Sequence, residues 1–316
     1  MRSDGGAVGV RFDHVPVTSV ADAVAQLTQP SDAGETHLVA GGTSVMPRIR
    51  RRAPRGARLI DISGVPGLDR VRERGTAVEI GSLASLEQVA VSPLVRRAAP
   101  LLASACAKVA SPAVRNMATI GGSLYPPHSD PAVALVALDA RLVLHTSAGT
   151  VTSRAADFLT GSGSAGGHDR HDRAHVLREI TLPAVPPETR VRYTRWSLRS
   201  AAERPAVTLA ASLRGRNGHC TDAVLVLGGA VPVPLPLTRA AEKLAGARLT
   251  PELAAAVAEE GADELAAAMD AAHSGAPPEE PPDEIRGGTR ESRAHTRRAA
   301  AAVIRRTLLD LSRELA

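Results

Sequence analysis

Apolar positions along the chain follow two periods. In "SVADAVAQLTQ" (19–29) they fall at Val20, Ala23, Val24 and Leu27, one face of a helix, with Ser19 placed as N-cap. "THLVA" and "ARLIDIS" are short buried strands that stop at breakers, Gly41 and Gly42 after the first, Gly64, Pro66 and Gly67 after the second. With the opening strand in "VRFDHVPVT", the first stretch reads β–α–β–α–β.

Further along, "AVEIGSLAS" is a strand and turn. "SLEQVAVS" and "SPLVRRAAPLLASACAKVAS" are helical, with Ser92 capping the second, Pro93 at its first position and Pro100 splitting it. A short helix is predicted over Pro131–Leu138, then a hairpin turning at Ala148-Gly149, then the strand "VLREITLP". The C-terminal part has a strand in "RVRYTRWSL", then two antiparallel strands over 206–228 turning at Asn217-Gly218. Thr250-Pro251 starts an alanine-rich helix ending near His273. The proline-rich acidic linker "SGAPPEEPPDEIRGG" leads to a basic helix over Thr289–Leu311. The expected boundaries are 1–65, 66–187 and 188–316, and the class is α+β.

Composition narrows the function. The 316 residues are 44% hydrophobic and 22% charged, as in a globular chain with an ample core. No apolar run approaches the ~18–20 residues of a membrane span, and the first residues lack an apolar leader. Two distant cysteines, Cys106 and Cys220, read as reduced, packed thiols in a cytoplasmic protein. Net charge is +5, nearly all of the positive charge from arginine, densest over Arg48–Arg58. With five aromatics in the whole chain there are no stacking platforms for nucleic acid. The arginines read instead as a solvated face or a rim around an anion. His168, His171 and His175 have metal-like spacing, but in a glycine-rich loop they read as solvated, and no metal is expected. An iron–sulfur cluster needs four thiolates, so two cysteines exclude one here. No "GxSxG" supports a hydrolase, and neither a dinucleotide fingerprint nor a Walker sequence is present.

The chemistry lies in two glycine pairs. "AGGTS" (Ala40, Gly41, Gly42, Thr43, Ser44) follows a strand, and "TIGGS" (Thr119, Ile120, Gly121, Gly122, Ser123) repeats its composition. Consecutive backbone N–H groups in such turns form anion nests. Either alone is a common turn. Together, from separate units, they suit the two phosphates of one pyrophosphate, with Asp130 downstream to hydrogen-bond a polyol or ring.

At these residues the chain resembles the FAD-binding medium subunit of molybdenum hydroxylases, the family of carbon-monoxide and xanthine dehydrogenases. The likeness runs through "FDHVPVTSVADAVAQL", "LVAGGTSVMPRIR", "LIDIS", "VASPAVRNMATIGGS", "DFLTG", "EITLP", "VLVLGGAVPVPLPLTRAAEKLAGARLT" and "DEIRGGTRESRAHTRRAAAAVIRRTL". It implies a two-part FAD-binding domain of vanillyl-alcohol-oxidase (PCMH-like) type and a C-terminal α+β domain with a small antiparallel sheet. It also implies FAD held by both loops and by Asp130, with Leu177 packing the flavin ring and Tyr193 at the mouth of the site. The implied partners are an iron–sulfur small subunit and a molybdenum-cofactor large subunit, with NAD, a quinone or oxygen as external acceptor and no catalytic acid or base in this chain. The departures from the family are Ser123 for the usual asparagine, a shortened Leu124–Asp130 segment containing Pro126, Pro127 and His128, and Glu203-Arg204 for an Arg-x-x-Asp-like pattern. These keep two alternatives open. One is a stand-alone FAD-dependent dehydrogenase or oxidase, with His128 near the flavin. The other is a non-catalytic assembly subunit with a weakened flavin site. Tyr125 stacks on flavin or packs under the Pro-Pro turn, and Cys106 is expected in the core.

Overall fold

Three parallel strands begin the fold. In this computed structural model, residues 12–31, 35–52, 57–125, 129–161, 174–197, 205–274 and 290–315 are described. The first elements are β1 (Phe12–Pro16), α1 (Val20–Thr28), β2 (Glu35–Val39), α2 (Val45–Arg52) and β3 (Ala57–Asp61). The strand order is β1-β3-β2, every pair parallel, so each helix serves as a crossover. Ser19 accepts from the Asp22 N–H and starts α1, which turns Ala23 and Val24 onto Ile60 and Val65. The loops leaving β2 and β3 both lie at the carboxyl edge of this sheet, where open α/β sheets bind ligands.

The next elements are β4 (Val71–Arg74), β5 (Ala77–Gly81), α3 (Leu86–Val91), α4 (Pro93–Ala98), α5 (Pro100–Ala107), α6 (Pro112–Met117), α7 (Asp130–Ala137), β6 (Arg141–Thr146), β7 (Gly149–Arg154), α8 (Ala155–Thr160) and β8 (His175–Leu182). The strands form an antiparallel sheet in the order β4-β5-β8-β6-β7. Ser92 caps α4, and Pro100 divides the helical run at Ala99, as the sequence leads one to expect. The sequence pattern gives no sign of strand β4: "VRER" is an exposed polar edge that carries no apolar alternation. The β6–β7 turn sits one residue earlier than expected. Thr146 pairs with Gly149, which takes φ +120°, and Ser147-Ala148 form the tip. His175 is buried at the start of β8 and not in a solvated loop, while His168 and His171 lie outside the described residues. Within β8, Val143 pairs with Glu179 but Leu144 pairs with Leu177, so Arg178 is the extra residue of a β-bulge.

The last elements are β9 (Thr189–Trp196), β10 (Val207–Arg216), β11 (His219–Gly228), β12 (Leu235–Pro236), α9 (Thr238–Glu242), α10 (Pro251–Ser274) and α11 (Arg290–Leu315). The sheet is antiparallel in the order β12-β11-β10-β9. Asn217 and Gly218 both have positive φ (53° and 75°), the two-residue turn their sequence predicts. Alternation along β10 divides the two faces. Leu209, Ala211 and Leu213 pack with Leu265, Ile304 and Leu308 of the two long helices. Ala210, with Tyr193 and Val226, faces the core under the five-stranded sheet. The acidic linker before α11 lies outside the described residues.

The 66–70 turn is locked to β5 through backbone. Gly81 and Leu83 donate to the carbonyls of Arg70 and Leu68, each at 2.8 Å. A Cβ on Gly81 would stand 2.1 Å from the Leu68 carbonyl oxygen, which no rotamer change relieves. Gly81→Ala is therefore expected to lower stability by ~2 kcal/mol or more, read as a lower urea midpoint. An unchanged midpoint would refute the lock.

Candidate functional site

The chain leaving β2 crosses to α2 through Ala40–Ser44. Gly42 has φ +69°, the region that disfavours side chains. Gly41 lies against another backbone: its Cβ would fall 1.7 Å from the carbonyl oxygen of Met117, at the end of α6. That contact brings the loop against the segment leading to Thr119. The N–H groups of Gly41 through Val45 donate no hydrogen bond among the described residues, and Met46 is the first donor, to the Gly42 carbonyl at 3.0 Å. Helix α2 has no acidic residue in its first turn to neutralise this positive end. The result is a row of open amides with the Thr43 and Ser44 hydroxyls beside it.

The second loop is alike in sequence and different in chemistry. Ile120 donates to Ala84 and Gly121 to Ser82, both at 2.9 Å; Gly122 donates to the Thr119 hydroxyl and Ser123 to the Thr119 carbonyl, both at 3.1 Å. Its amides are already bonded within the protein. Gly121 is glycine because Ser82 Cβ stands 2.8 Å from where its own would be, and Gly122 because Thr119 Oγ1 stands at 2.9 Å. The two loops, expected to grip one pyrophosphate together, thus differ in which donors they leave open. Ser82, Ala84 and Thr119 take the donors, and Ser123, whose hydroxyl donates to the Thr119 carbonyl at 2.9 Å, is the residue of this loop that lines the cavity shared with the first.

The loops meet at a cavity of about 170 Å³. Thr43 and Ser44 line it from one side, Ser123, Ser129 and Asp130 from the other, and Leu86, Val109 and Val114 form apolar wall. Ser129 caps α7 and sets Asp130 in its first turn, 6% exposed. Asp130 Oδ1 accepts from the Tyr193 hydroxyl at 2.7 Å and faces Arg195 Nε at 3.4 Å. Lys108 Nζ donates to the Tyr193 carbonyl at 2.7 Å and lies 5.7 Å from the centre of its ring. Burial pushes the Asp130 carboxyl above its ordinary value; the Tyr193 hydroxyl, Arg195 and Lys108 oppose that only in part.

Tyr193 is not at the mouth. Its ring is buried behind Asp130, because the hydroxyl finds its partner there. Leu177 is buried in the main core opposite Leu144 and does not line the cavity. Ala40 packs with the core of the first sheet, and Ile120 is fully buried. Arg195 and Lys108 escaped sequence reasoning. The available signal for Arg195 was its spacing of two from Tyr193 on one strand, which puts both on one face. Tyr125 lies beside His175, hydroxyl to Nε2 at 3.1 Å, with its ring edge-on to Phe158. Cys106 is fully buried, and burial pushes its thiol up. Pro126, Pro127, His128, Glu203 and Arg204 lie outside the described residues. Among those described, no group of His, Cys, Asp or Glu is placed to hold a metal ion, and no helix is long and apolar enough to cross a membrane.

Comparison with known proteins gives concordant results. Residues 10–185 match the family described as the FAD binding domain in molybdopterin dehydrogenase, and 192–277 match the CO dehydrogenase flavoprotein C-terminal domain. The chain is 31% identical to the carbon monoxide dehydrogenase medium chain of Hydrogenophaga pseudoflava, over 79% of this chain and 85% of that one. It is 28% identical to a putative xanthine dehydrogenase FAD-binding subunit of Escherichia coli, over 76% and 82%. Its fold superimposes on a chain of the Hydrogenophaga pseudoflava carbon monoxide dehydrogenase structure with a TM-score of 0.77 at 28% identity, over 94% of this chain and 95% of that one.

The Asp130 pair gives a pH prediction. A carboxyl whose folded pKa is raised binds its proton more tightly in the folded chain. Its contribution to stability therefore falls as pH rises from the ordinary carboxylate value through the raised one, and is level above it. Removing the hydroxyl that favours the charged form, in Tyr193→Phe, is expected to move the Asp130 titration to still higher pH, followed by ¹³C NMR of labelled aspartate. A downward move would refute the bond.

Proposed function

Because the chain belongs to the family of FAD-binding medium subunits of molybdenum hydroxylases, we propose that it stands between a partner iron–sulfur subunit and an external acceptor, and carries electrons from one to the other. The substrate would be oxidised on a molybdenum-cofactor large subunit and never touch this chain. The acceptor would be NAD, a quinone or oxygen.

The observation that carries this reading is the convergence of Thr43 and Ser44 with Ser123 and Asp130 on one cavity, beside five open amides. The residues fit FAD. A left-handed glycine, a helix start without acidic residues and a run of free N–H groups suit a pyrophosphate. The cavity is smaller than the ~300–1,000 Å³ typical of small-molecule pockets, so it takes part of a large cofactor. When bound, FAD supplies the ability to accept electrons singly and release them in pairs. This chain's residues bind and orient. The Gly41–Val45 amides would hold phosphate oxygens, and the Thr43 and Ser44 hydroxyls, with Ser123 across the cavity, would add polar contacts. Asp130, held by Tyr193 and Arg195, offers an acceptor oxygen. Leu86, Val109 and Val114 would give the cofactor an apolar side. Thr119, Gly121 and Gly122 shape the second loop. Ala40, Ile120 and Leu177 line no part of this cavity and contribute hydrophobic packing.

The test is an absorption spectrum of the purified chain, before and after heat release. One flavin per chain, appearing in the supernatant, is expected. A colourless protein that refuses added FAD would overturn the reading. Gly42→Val, which forces a β-branched residue to positive φ, is expected to cut bound flavin at least tenfold while far-UV circular dichroism stays unchanged.

A further inference from the structure

A larger cavity, about 270 Å³, lies elsewhere and shares no lining residue with the first. It opens between the turn after β3 and the middle of β8, and its character is cationic. Arg70, Arg72 and Arg178 line it, with Glu179. Arg72 is committed, to Glu79 at 2.7 Å and Glu179 at 3.2 Å, and Arg74 also holds Glu79. The carboxylates that face the arginines are therefore already paired. Arg70 and Arg178 make no side-chain hydrogen bond or ion pair among the described residues, so two guanidinium charges are left without a partner.

The backbone around the cavity is fixed. The carbonyls of Leu68, Arg70 and Arg178 are turned inward, accepting from Leu83, Gly81 and Ser82 at 2.8, 2.8 and 3.1 Å. Gly67, in this turn, has φ +79°. Arg178 reaches this place because it is the extra residue of the β8 bulge, a device that re-aims a side chain. Two free guanidinium groups over a turn fixed by backbone hydrogen bonds are the chemistry that recognises phosphate.

We propose that this cavity is a second anion site, separate from the flavin site, that binds a phosphate group, free or borne by a small molecule. The proposal does not rest on the flavin reading, since no residue is common to both.

The test titrates the full chain, in buffer saturated with FAD so that any flavin site is filled, with inorganic phosphate, pyrophosphate and ADP by isothermal calorimetry at low ionic strength. Saturable binding is expected, weakened by salt. Arg178→Gln and Arg70→Gln are each expected to weaken it by about tenfold, the loss of one charge-assisted hydrogen bond, while Arg141→Gln, an exposed arginine on β6, leaves it unchanged. Tighter binding of ADP than of phosphate assigns a nucleotide; equal binding assigns phosphate itself. No binding of any of the three would overturn the proposal, as would equal binding by the arginine variants. Loss of flavin from Arg70→Gln or Arg178→Gln would also overturn it, by making the cavity part of the cofactor site. So would binding of polyglutamate without binding of phosphate, which would make this a docking surface for an acidic protein segment.

Discussion

Backbone lies on backbone at three glycines, and the site depends on it. Gly41 rests on the Met117 carbonyl, Gly121 on Ser82, and Gly81 on the Leu68 carbonyl. Together these contacts form a seam from the parallel sheet through the antiparallel one. At most positions in a core a methyl group is absorbed by a rotamer change next door. Where the neighbour is a carbonyl there is no rotamer to change, and two segments must separate. Separation at Gly41 would part Thr43 and Ser44 from Ser123 and Asp130, and the cavity exists only while they are together.

Within that frame the electrostatics are arranged around burial. Asp130 is removed from water, and a buried carboxylate without partners is costly. The Tyr193 hydroxyl and Arg195 supply partners, with Lys108 close by, and burial still prevails. A carboxyl so poised accepts a hydrogen bond with little reorganisation. The opposite side of the cavity is positive for a different reason, the unbonded amides at the start of α2. A dinucleotide cofactor, anionic at its pyrophosphate and polar along its polyol, matches such a division.

The likeness of the two glycine loops in sequence conceals a division of roles. In the first, the chain runs from strand to helix, and among the described residues no carbonyl accepts from the amides. In the second, Thr119 folds back and takes the amides of Gly122 and Ser123, while the strand-end residues Ser82 and Ala84 take those of Gly121 and Ile120. One pair of glycines opens donors; the other permits close packing.

Local sequence was enough for most elements. Ser19 and Ser92 mark helix starts, Pro100 a break and Asn217-Gly218 a turn, because caps, fixed φ and positive φ are properties of a few adjacent residues. The glycine pairs, and the family they resemble, were likewise legible. The polar edge strand β4 was not, since nothing apolar alternates in it, and the buried start of β8 was hidden by the glycine-rich run before it. Which amides are free, that Tyr193 lies behind Asp130 and not at a mouth, that Arg195 and Lys108 join it, and that a bulge turns Arg178 outward were decided only by the tertiary structure. Each depends on a hydrogen-bond or packing partner distant in the chain, and a partner's arrival is not encoded in the few residues it meets.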